Sequence, residues 1–489
     1  MQNNHQQIVL PQPVAYILWK LNQKELEGYV VGGAVRDLLL NRPLSDWDFT
    51  TNARPETIQE VFPESFYDNN FGTVGIAYEH ISQMMIEDKW QPQESEDEYQ
   101  SFQEQVYEIT TFRTESNYTD NRRPDKVEWG KSIEEDLKRR DFTINAIAIR
   151  VNHIDREIAF IKSKSEHNFE VSLIDPYQGE DDVRTKTIKA VSDPHERFSE
   201  DALRMMRAIR FGAQLGFHIE PKTLDSIKKL SQLIENVSSE RIRDELLKIL
   251  TSNYPADGIL LLYTSELLEF IIPELLPSRG VEQGGHHIHD VWTHSIESLR
   301  HCPSPDPVVR LAALIHDIGK PKSYRKGGPR GCTFHGHEVV GGRVANQIGK
   351  RLRLSKKQHK KLVTLVRWHM FYYQEDMTDA AIRRFIKRVG VDNINDIIML
   401  RIGDRLGSGA TATSWRLREL QRRIGEQLYE PLKVSDLKVS GHDVMEELNI
   451  KPGKQIGTIL NALFEEVIED TSKNNREYLI QRMKEIANN

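Results

Sequence analysis

The chain has 489 residues, of which 38% are hydrophobic and 28% charged, and its formal net charge is −7. This length predicts several domains, and the composition excludes a disordered or fibrous protein. No apolar run of about 18 residues and no secretory pattern occur, which predicts a cytoplasmic protein with no membrane partner. Cys302 and Cys332 lack the spacing of zinc sites or disulfides, so both are expected to be free thiols.

Charge is distributed unevenly along the chain. Residues 350–367 are strongly basic, whereas the segment 87–105 is acidic and rich in glutamine. Because nucleic-acid binders usually present a basic face, such a function would depend on local charge here. The acidic segment has no sustained apolar period and is predicted to be a surface insertion, and solvated faces are the alternative interpretation of both segments.

The spacing of apolar residues changes along the chain. From Gly28 to about residue 150, short apolar runs alternate with helical segments, as in an α/β domain. Beyond Phe198 the spacing is three and four, which predicts helices, and prolines and glycines indicate a boundary near residue 280. The sequence thus predicts an α+β protein in four parts: a mixed-sheet head (1–150), a helical neck (151–280), a second helical domain (281–410) and a helical tail (411–489).

The first candidate site follows an apolar strand, in the string YVVGGAVRDLLLNRPLSDWDFTT. Gly32 and Gly33 would let the backbone approach a phosphate closely, and the helix that follows, which carries Arg36, favours an anion at its start. An ordinary strand-to-helix turn is the alternative for such a glycine pair alone.

Three carboxylates are the candidate catalytic residues. Asp46 and Asp48 stand at i and i+2, which on a strand places them on the same side, and Glu108 lies in a second strand-like run, VYEITTF. Close like charges need a cation, and hard oxygen ligands suit Mg²⁺ bridging to substrate phosphates. Asp46 and Asp48 are therefore the predicted magnesium ligands, with a solvated acidic turn as the alternative for these two residues alone.

Together with two strings that occur later in the sequence, these residues closely resemble the motifs of the class II CCA-adding enzymes. These enzymes belong to the nucleotidyltransferase superfamily, which also includes bacterial poly(A) polymerases. GGAVRD and SDWDFTT are similar to the family's metal-binding motif, KRRDFTINAIA to its ribose-recognition motif, and ERFSEDALRMMRAIRF to its nucleotide-selecting motif. The resemblance implies a nucleotidyltransferase head and an enzyme that adds nucleotides from CTP and ATP to tRNA without a template. It also implies recognition of the acceptor and TΨC region.

The nucleotide-selecting string also has a direct physical interpretation. Asp201 and Arg204 are predicted to share one face of a helix at i and i+3. A carboxylate that accepts from an exocyclic amino group and a guanidinium that donates to a ring nitrogen would accept C and A and reject U and G. A surface ion pair is the alternative. The further predicted nucleotide-binding residues are Arg140, Asp141 and Asn145 of the ribose motif, and Arg207.

Two other segments have interpretations that rest on the resemblance. The string FRTESNYTDNRRPDKVEW is similar to a flexible loop of members that add the terminal A; its matching residues are Arg113, Tyr118, Arg122, Arg123 and Pro124. A plain surface loop is the alternative. VSSERIRDELLKIL predicts a neck helix capped by Ser238 or Ser239, whose Arg241 and Arg243 either buttress the nucleotide-selecting helix or act in capping. The tail resembles a segment that faces tRNA.

A second candidate site lies in the region 281–410. Its residues are His294, His316, Asp317, His337, His369 and Asp404, in an order that resembles the HD-domain phosphohydrolases. Such ligands suit one or two divalent ions (Ni, Mn or Mg) that lower the pKa of a bound water. Some relatives of this kind act as phosphatases or 2′,3′-cyclic phosphodiesterases, and a degenerate, purely structural HD domain is the alternative.

Three competing functions follow from these motifs. A poly(A) polymerase would share the head chemistry, but NNFGTVGIAYE here lacks the glycine-basic-basic-Phe string usual in those enzymes. An enzyme that adds only the terminal A fits the same motifs. A metal-dependent phosphohydrolase with an inactive head fits less well, because Asp46, Asp48, Asp201 and Arg204 are all present. No particular oligomeric state is predicted.

Overall fold

The structure, a computed structural model, describes residues 5–44, 46–68, 72–90, 105–116, 126–152, 154, 167–284, 288–327 and 331–487. The chain forms two compact units. The first is Met1–Glu245 with Leu260–Phe270, and the second is Leu246–Ile259 with Ile271–Asn489. The finer division into four domains stays a prediction.

A mixed sheet organises the first unit. The strands are β1 (His5–Leu10), β2 (Gly28–Val31), β3 (Asp48–Thr51), β4 (Phe66–Asp68), β5 (Thr73–Ala77), β6 (Val106–Thr111), β7 (Arg113–Ser116), β8 (Lys126–Trp129), β9 (Ala148–Val151), β10 (His167–Ile174), β11 (Thr187–Ile188) and β12 (His218–Ile219). Eight of them form one sheet in the order β1-β10-β9-β2-β3-β6-β5-β4, in which only the β3–β6 pair is parallel. The predicted mixed-sheet head is confirmed, although the predicted boundary at residue 150 falls inside this sheet because β10 lies beyond it.

Helices cover this sheet and continue to the end of the unit. They are α1 (Gln12–Gln23), α2 (Gly33–Leu39), α3 (Pro55–Val61), α4 (Tyr78–Glu87), α5 (Ile133–Lys138), α6 (Gly179–Arg184), α7 (Pro194–Glu200), α8 (Leu203–Leu215), α9 (Pro221–Leu230) and α10 (Ser239–Leu250). Period-two alternation in β6 buries Tyr107 and Ile109 and leaves Glu108 on the exposed side. Leu137 of α5 packs with Val31 in a buried cluster, which fixes the segment after α5 against the sheet.

From Pro255 onward the described residues are nearly all helical. The helices are α11 (Pro255–Thr264), α12 (Leu268–Ile271), α13 (Val291–Arg300), α14 (Pro307–Ile315), α15 (Lys320–Ser323), α16 (His337–Arg351), α17 (Lys356–Trp368), α18 (Asp379–Val389), α19 (Ile394–Gly407), α20 (Trp415–Gln427), α21 (Gly441–Leu448), α22 (Lys454–Glu469) and α23 (Arg476–Ala487), with a hairpin of β13 (Arg325–Lys326) and β14 (Cys332–Thr333). The predicted helical character is confirmed. The apolar run at 258–271, however, forms two helices, because the chain turns at Glu266, whose φ is +64°.

Several sequence predictions meet the limits of the described residues. Residues 91–104 of the acidic segment lie outside the described residues. Tyr118, Arg122, Arg123 and Pro124 of the predicted loop also lie outside them. In the part of the chain that the structure describes, no helix is both long and apolar enough to cross a membrane. Cys302 and Cys332 are free, as predicted.

Candidate functional site

The carboxylates of the first unit meet at one end of the central strands. Asp48 is the first residue of β3 and lies opposite Glu108 in the parallel pairing with β6. Asp46 was predicted to share this strand, but it lies before β3 and is exposed. Among the described residues, groups of three or more possible metal ligands within 4.8 Å of one another occur only in the second unit, so Asp46, Asp48 and Glu108 form no such group.

Asp48 has the environment of a group that a cation would stabilise. Burial raises its pKa and so does the nearby charge of Asp46, whereas Arg140 and Arg36 act in the opposite direction. Burial and like charge both disfavour the ionised form of a carboxyl group, and a divalent cation held by oxygen ligands reverses that effect. The donor set of Asp46 and Asp48 therefore fits a hard ion such as Mg²⁺.

Gly32 brings the backbone next to these carboxylates. Its φ is +72°, and a Cβ atom built there would lie 2.9 Å from Arg140 Nη1 and 3.3 Å from Asp48 Oδ2. Gly33 begins α2 directly after it. Both the backbone conformation and the close approach to Arg140 and Asp48 require glycine at position 32, and its predicted role beside a phosphate stays a prediction.

A buried aspartate holds two arginines at the cleft. Asp136 is fully buried on α5 and accepts from Arg139 at 2.7 Å and from Arg140 at 3.1 Å. Burial alone would raise its pKa, but the two guanidinium groups lower it below the usual value. Arg140 Nη1 also donates to the Asn145 carbonyl oxygen at 3.3 Å. These contacts fix the position of Arg140 before any ligand binds.

A second polar chain links α2 to α8. Arg36 Nη1 donates to Asn145 Oδ1 at 2.8 Å, and Asn145 Nδ2 donates to Asp141 Oδ1 at 3.4 Å. Arg207 Nε donates to Asp141 Oδ2 at 2.7 Å. Burial would raise the pKa of Asp141, but Arg207 holds it below the usual value. Four of the predicted nucleotide-binding residues, Arg36, Asp141, Asn145 and Arg207, thus lie in one network.

The predicted helical pairing of Asp201 with Arg204 is wrong. Helix α7 ends at Glu200, Asp201 is extended with φ −137° and ψ 105°, and α8 begins at Leu203. Asp201 Oδ1 accepts from the Leu203 backbone N–H at 3.0 Å, and Oδ2 accepts from Arg241 at 2.9 Å. The sequence interpretation failed because apolar residues continue the helical spacing across the break.

Arg204 is held by its own set of acceptors. Its Nη1 donates to Glu200 Oε2 at 2.5 Å, and its Nη2 donates to the Arg139 carbonyl oxygen at 3.3 Å. Because the helix is interrupted between Glu200 and Leu203, Asp201 and Arg204 are held by different residues, Arg241 and Glu200 respectively. Both residues nevertheless line the same cleft.

The cleft of the first unit has a volume of about 550 Å³. Its wall contains Asp48, Glu108, Asp141 and Asp201 and the arginines Arg36, Arg113, Arg139, Arg140, Arg204, Arg207, Arg210 and Arg241. Arg210, which the sequence analysis missed, lies 4.4 Å from the Phe211 ring centroid and 2.8 Å from Glu245 Oε2. Its i+3 spacing from Arg207 was the signal that could have found it. Excess positive charge suits a polyphosphate.

The second unit brings its six predicted residues together in its core. His294 lies on α13, His316 and Asp317 directly follow α14, His337 begins α16, His369 directly follows α17, and Asp404 lies on α19. All six are buried. The Nε2 atoms of His294 and His316 are 3.1 Å apart, and those of His337 and His369 are 3.3 Å apart.

Three of these imidazoles have a fixed tautomer. The Nδ1 atoms of His316, His337 and His369 lie 2.8, 2.9 and 2.7 Å from backbone carbonyl oxygens. Because a carbonyl oxygen only accepts, each Nδ1 carries a proton and each Nε2 atom faces the cluster, where it can bind a metal ion once it has lost its own proton. Ligands at right angles around an ion about 2.1 Å away lie about 3 Å apart, so the nitrogen spacing fits metal coordination.

The six side chains form two groups that share one aspartate. His294, His316 and Asp317 form the first group, and Asp317, His337 and His369 form the second. Asp404 Oδ1 lies 3.2 Å from His294 Nε2 and so adjoins the first group. Each group has the histidine and carboxylate ligands that would hold one divalent ion, and Asp317 belongs to both groups.

Close packing of glycines positions these ligands. A Cβ atom at Gly319 would lie 2.1 Å from the His337 carbonyl oxygen, so the start of α16 packs directly on this residue. A Cβ atom at Gly403 would lie 2.6 Å from the Ser298 carbonyl oxygen, which lets α19 approach α13 and brings Asp404 to His294.

The histidine cluster opens into a cavity of about 940 Å³ lined by Lys320 and Arg401. Lys320 Nζ lies 2.6 Å from Asp317 Oδ2, and Arg401 Nη1 donates to Asp404 Oδ2 at 2.6 Å. Burial would raise the pKa of Asp317, but His316 and Lys320 hold it well below its usual value. The carboxylate is therefore ionised and able to act as a metal ligand.

Comparison with known proteins places the chain. The family model described as the Poly A polymerase head domain matches residues 28–189, and tRNA nucleotidyltransferase domain 2 matches residues 342–483. The head thus belongs to the nucleotidyltransferase class that the sheet and cleft indicate. A CCA-adding enzyme of Ligilactobacillus salivarius is 31% identical over 96% of this chain and 95% of its own length. The chain belongs to the family of CCA-adding enzymes.

Two further relatives bear on the function. An A-adding tRNA nucleotidyltransferase of Deinococcus radiodurans is 34% identical over 68% of this chain and 75% of its own length. The crystal structure of the Bacillus stearothermophilus CCA-adding enzyme in complex with CTP matches with a TM-score of 0.66 and 26% identity, over 98% of this chain and 97% of that one.

Proposed function

We propose that this chain is a tRNA nucleotidyltransferase that adds C, C and A to the 3′ end of tRNA from CTP and ATP. The observation that carries the proposal is the arginine-lined cleft with Asp48 and Glu108 at the end of its central strands. Membership in the CCA-adding family along nearly the whole chain favours CCA addition over poly(A) synthesis.

In the reaction, the 3′-hydroxyl oxygen of tRNA bonds to the α-phosphorus of the nucleotide, and the bond to the β-phosphate oxygen breaks. Pyrophosphate leaves with the negative charge, and the hydroxyl proton passes to solvent. Asp46 and Asp48 are the residues that would hold Mg²⁺, which supplies charge neutralisation for the attacking and leaving oxygens. Glu108 lies opposite Asp48 and adds negative charge at the same end of the sheet.

The chain itself binds and selects the nucleotide. Arg36, Arg207 and Arg210 surround the Phe211 ring at 5.4, 5.7 and 4.4 Å and give a fixed positive wall for the triphosphate. Arg140, held by Asp136, donates toward the ribose side of the cleft. Asp201 accepts from the exocyclic amino group of C or A, and Arg204 donates to the ring nitrogen.

The test is incorporation of labelled CTP and ATP into tRNA transcripts that end before CCA, into transcripts that end after CC, and into an unrelated RNA. Asp48→Asn is expected to lower incorporation by at least about 1,000-fold, whereas Asp317→Asn in the other unit leaves it unchanged. Truncated tRNA that gains CCA and then stops supports the proposal. Addition only after CC would make the chain an A-adding enzyme, and long A tails on any RNA would make it a poly(A) polymerase.

The histidine cluster favours a second activity. We infer that His294, His316, Asp317 and Asp404 hold one divalent ion and that Asp317, His337 and His369 hold another. Four imidazole nitrogens suit a transition ion such as Ni²⁺ better than Mg²⁺. When bound, such ions supply a hydroxide at neutral pH for hydrolysis of a phosphoester. Lys320 and Arg401 would steer an anionic substrate into the cavity.

This second proposal is tested with the metal-free full chain, reconstituted separately with Ni²⁺, Mn²⁺ and Mg²⁺. Hydrolysis of bis-p-nitrophenyl phosphate or p-nitrophenyl phosphate should appear with a transition ion and disappear in Asp317→Asn. Asp48→Asn is the matched control because it lies in the other unit. Equal rates in Asp317→Asn and the unmodified chain would exclude hydrolysis at this cluster.

A further inference from the structure

The helices α16 and α17 form a hairpin with an unusual charge. Between Val339 and Gln374 the sequence contains no Asp or Glu, in a chain whose net charge is −7. The segment holds nine cations: Arg343, Lys350, Arg351, Arg353, Lys356, Lys357, Lys360, Lys361 and Arg367. We call His337–Trp368 the basic hairpin.

Some of these cations have structural partners. Arg351 lies 2.7 Å from Glu274, and Lys361 lies 2.7 Å from Asp306 and 2.6 Å from Asp396. Both side chains therefore connect the basic hairpin to neighbouring elements of the second unit. These ion pairs neutralise the cations, which therefore add nothing to the open surface.

Five other cations of the basic hairpin are exposed and have no ion-pair partner among the residues that the structure describes: Arg343, Lys350, Lys356, Lys357 and Lys360. Elsewhere in the second unit, some exposed cations have acidic neighbours, whereas others, such as Arg418 and Lys454, have no ion-pair partner among the described residues. Arg422 pairs with Glu419 at 2.6 Å, and Lys484 pairs with Glu447 at 2.7 Å. The hairpin differs in that its five unpaired cations all lie between residues 343 and 360, in a stretch that contains no acidic residue.

The unpaired cations share two geometric relationships. Lys350 stands seven residues after Arg343, which places both on one face of α16, about 10 Å apart along the axis. A Cβ atom at Gly349 would lie 2.7 Å from the His359 ring, so the end of α16 packs on the start of α17. That contact brings Lys350 and Lys360 to the same end of the hairpin.

A shallow groove runs between the two helices. Arg343 on α16 lines it as an unpaired cation, together with the amides of Asn346 and Gln347 and with Arg367 on α17, which lies 3.7 Å from Glu338. Cations along a groove attract a chain of regularly spaced negative charges, and amides donate to phosphate or ribose oxygens between them. The backbone of an RNA has this pattern of charge.

We propose that the basic hairpin binds the phosphate backbone of the tRNA substrate. This inference rests on the proposed function for the identity of the RNA. Its surface is separate from the nucleotide cleft, which lies in the first unit. The contact supplies affinity that does not depend on base sequence and that weakens with salt, because each neutralised phosphate releases bound counterions.

The experiment uses the full chain and a tRNA transcript that lacks CCA. One variant carries Lys→Gln at 350, 356, 357 and 360, and another carries Lys→Arg at the same positions. The control variant carries Gln at Arg384, Lys387, Arg422 and Lys484, which changes net charge equally but removes cations that are already ion-paired. tRNA affinity is measured by fluorescence anisotropy from about 50 to 300 mM KCl.

The Lys→Gln hairpin variant should bind tRNA at least about tenfold more weakly at low salt, with a salt slope smaller by about one for each lysine that contacts a phosphate. KM for tRNA should rise with kcat and KM for CTP unchanged. The Lys→Arg variant should behave like the unmodified chain, and so should the control. Thermal melting of every variant shows that each is folded.

Three outcomes would overturn the inference. They are an unchanged salt slope in the Lys→Gln hairpin variant, an equal loss in the control variant, or displacement of tRNA by polyglutamate as effectively as by RNA of equal charge. The last outcome would assign the surface to acidic proteins. If the unmodified chain binds tRNA with the expected slopes but adds no nucleotide, the proposed function fails and the hairpin inference stands.

Discussion

Arg241 of α10 donates to Asp201 Oδ2 at 2.9 Å, although the two residues are 40 positions apart in the chain. Asp201 has left the helix at this point, so the guanidinium and the Leu203 N–H are the groups that orient its carboxylate. Arg241 is thus a positioning residue for the group proposed to read the base. It acts by orienting Asp201, and we propose no contact between Arg241 and the reacting atoms.

Loss of Arg241 should therefore relax base selection. Arg241→Ala removes a charge-assisted hydrogen bond, and kcat/KM for CTP should fall by about tenfold while UTP incorporation rises relative to CTP. The measurement compares single-nucleotide addition with all four nucleotides. Arg243→Ala is the matched control, since Arg243 pairs with its neighbour Asp244 at 2.8 Å. Unchanged selectivity in Arg241→Ala would contradict the positioning role.

Asp136 should be a major contributor to the stability of the first unit. Asp136→Asn leaves Arg139 and Arg140 without their buried partner and should lower the free energy of unfolding by about 3 kcal/mol. Chemical denaturation measures this change. The control is Asp181→Asn, which breaks an exposed pair with Arg184 and should change stability little. Similar decreases in the free energy of unfolding of both variants would contradict the expectation that the buried ion pair contributes more than the exposed one.

The ion pairs of Asp136 also predict how the stability of the folded chain depends on pH. The pKa of Asp136 is lowered in the folded chain, so its ionised form stabilises folding above the pKa of the unfolded chain. That stabilisation is lost as pH falls through the lower, folded pKa. The difference in stability between the unmodified chain and Asp136→Asn should be constant above about pH 5 and shrink below about pH 4. A difference that grows on acidification would have the wrong sign.

The two ligand groups of the second unit predict the metal content. The measurement uses chains that carry Asp48→Asn, so that the proposed magnesium site of the first unit does not add to the count. After reconstitution with Mn²⁺, such a chain should retain two ions, one with His369→Ala, and none with Asp317→Asn, because Asp317 belongs to both groups. Elemental analysis of the dialysed protein gives the ratio. His335→Ala is the control, as His335 lines the same cavity outside both groups. Loss of metal in His335→Ala, or two ions retained in His369→Ala, would refute the assignment.

Gly319 should be essential for the second of these groups. A Cβ atom at this position would lie 2.1 Å from the His337 carbonyl oxygen, so Gly319→Ala must displace the start of α16. The expected cost is about 1–3 kcal/mol, with loss of one ion. Gly425→Ala is the control: it lies in α20 with nothing within 4 Å, and alanine there should stabilise the helix by about 0.5–1 kcal/mol.

The sequence predicted which residue types form the nucleotide cleft better than it predicted how their side chains are arranged. Gly32, Asp48 and Arg140 were predictable because short motifs specify a strand, a turn and a charged group within a few residues. The arginine partners of Asp201 and Asp141 lie 40 and 66 residues away. The family resemblance offered Arg241 as a buttress of the nucleotide-selecting segment, but nothing in a single sequence pairs either arginine with its own aspartate. The break at Asp201 was hidden because its buried neighbours, Phe198 and Ala202, continue a helical spacing.

The cleft of the first unit is lined by eight arginines and, among the described residues, by no lysine. A guanidinium keeps its proton throughout the pH range in which proteins are folded, and it does not undergo the acetylation that removes the charge of an amine. Amine-directed acylation should therefore leave nucleotide binding intact. Four of the five unpaired cations on the basic hairpin are lysines, so the same reagent should weaken RNA binding. One chemical treatment would then separate the two affinities, and a lysine-modifying enzyme could do the same in a cell.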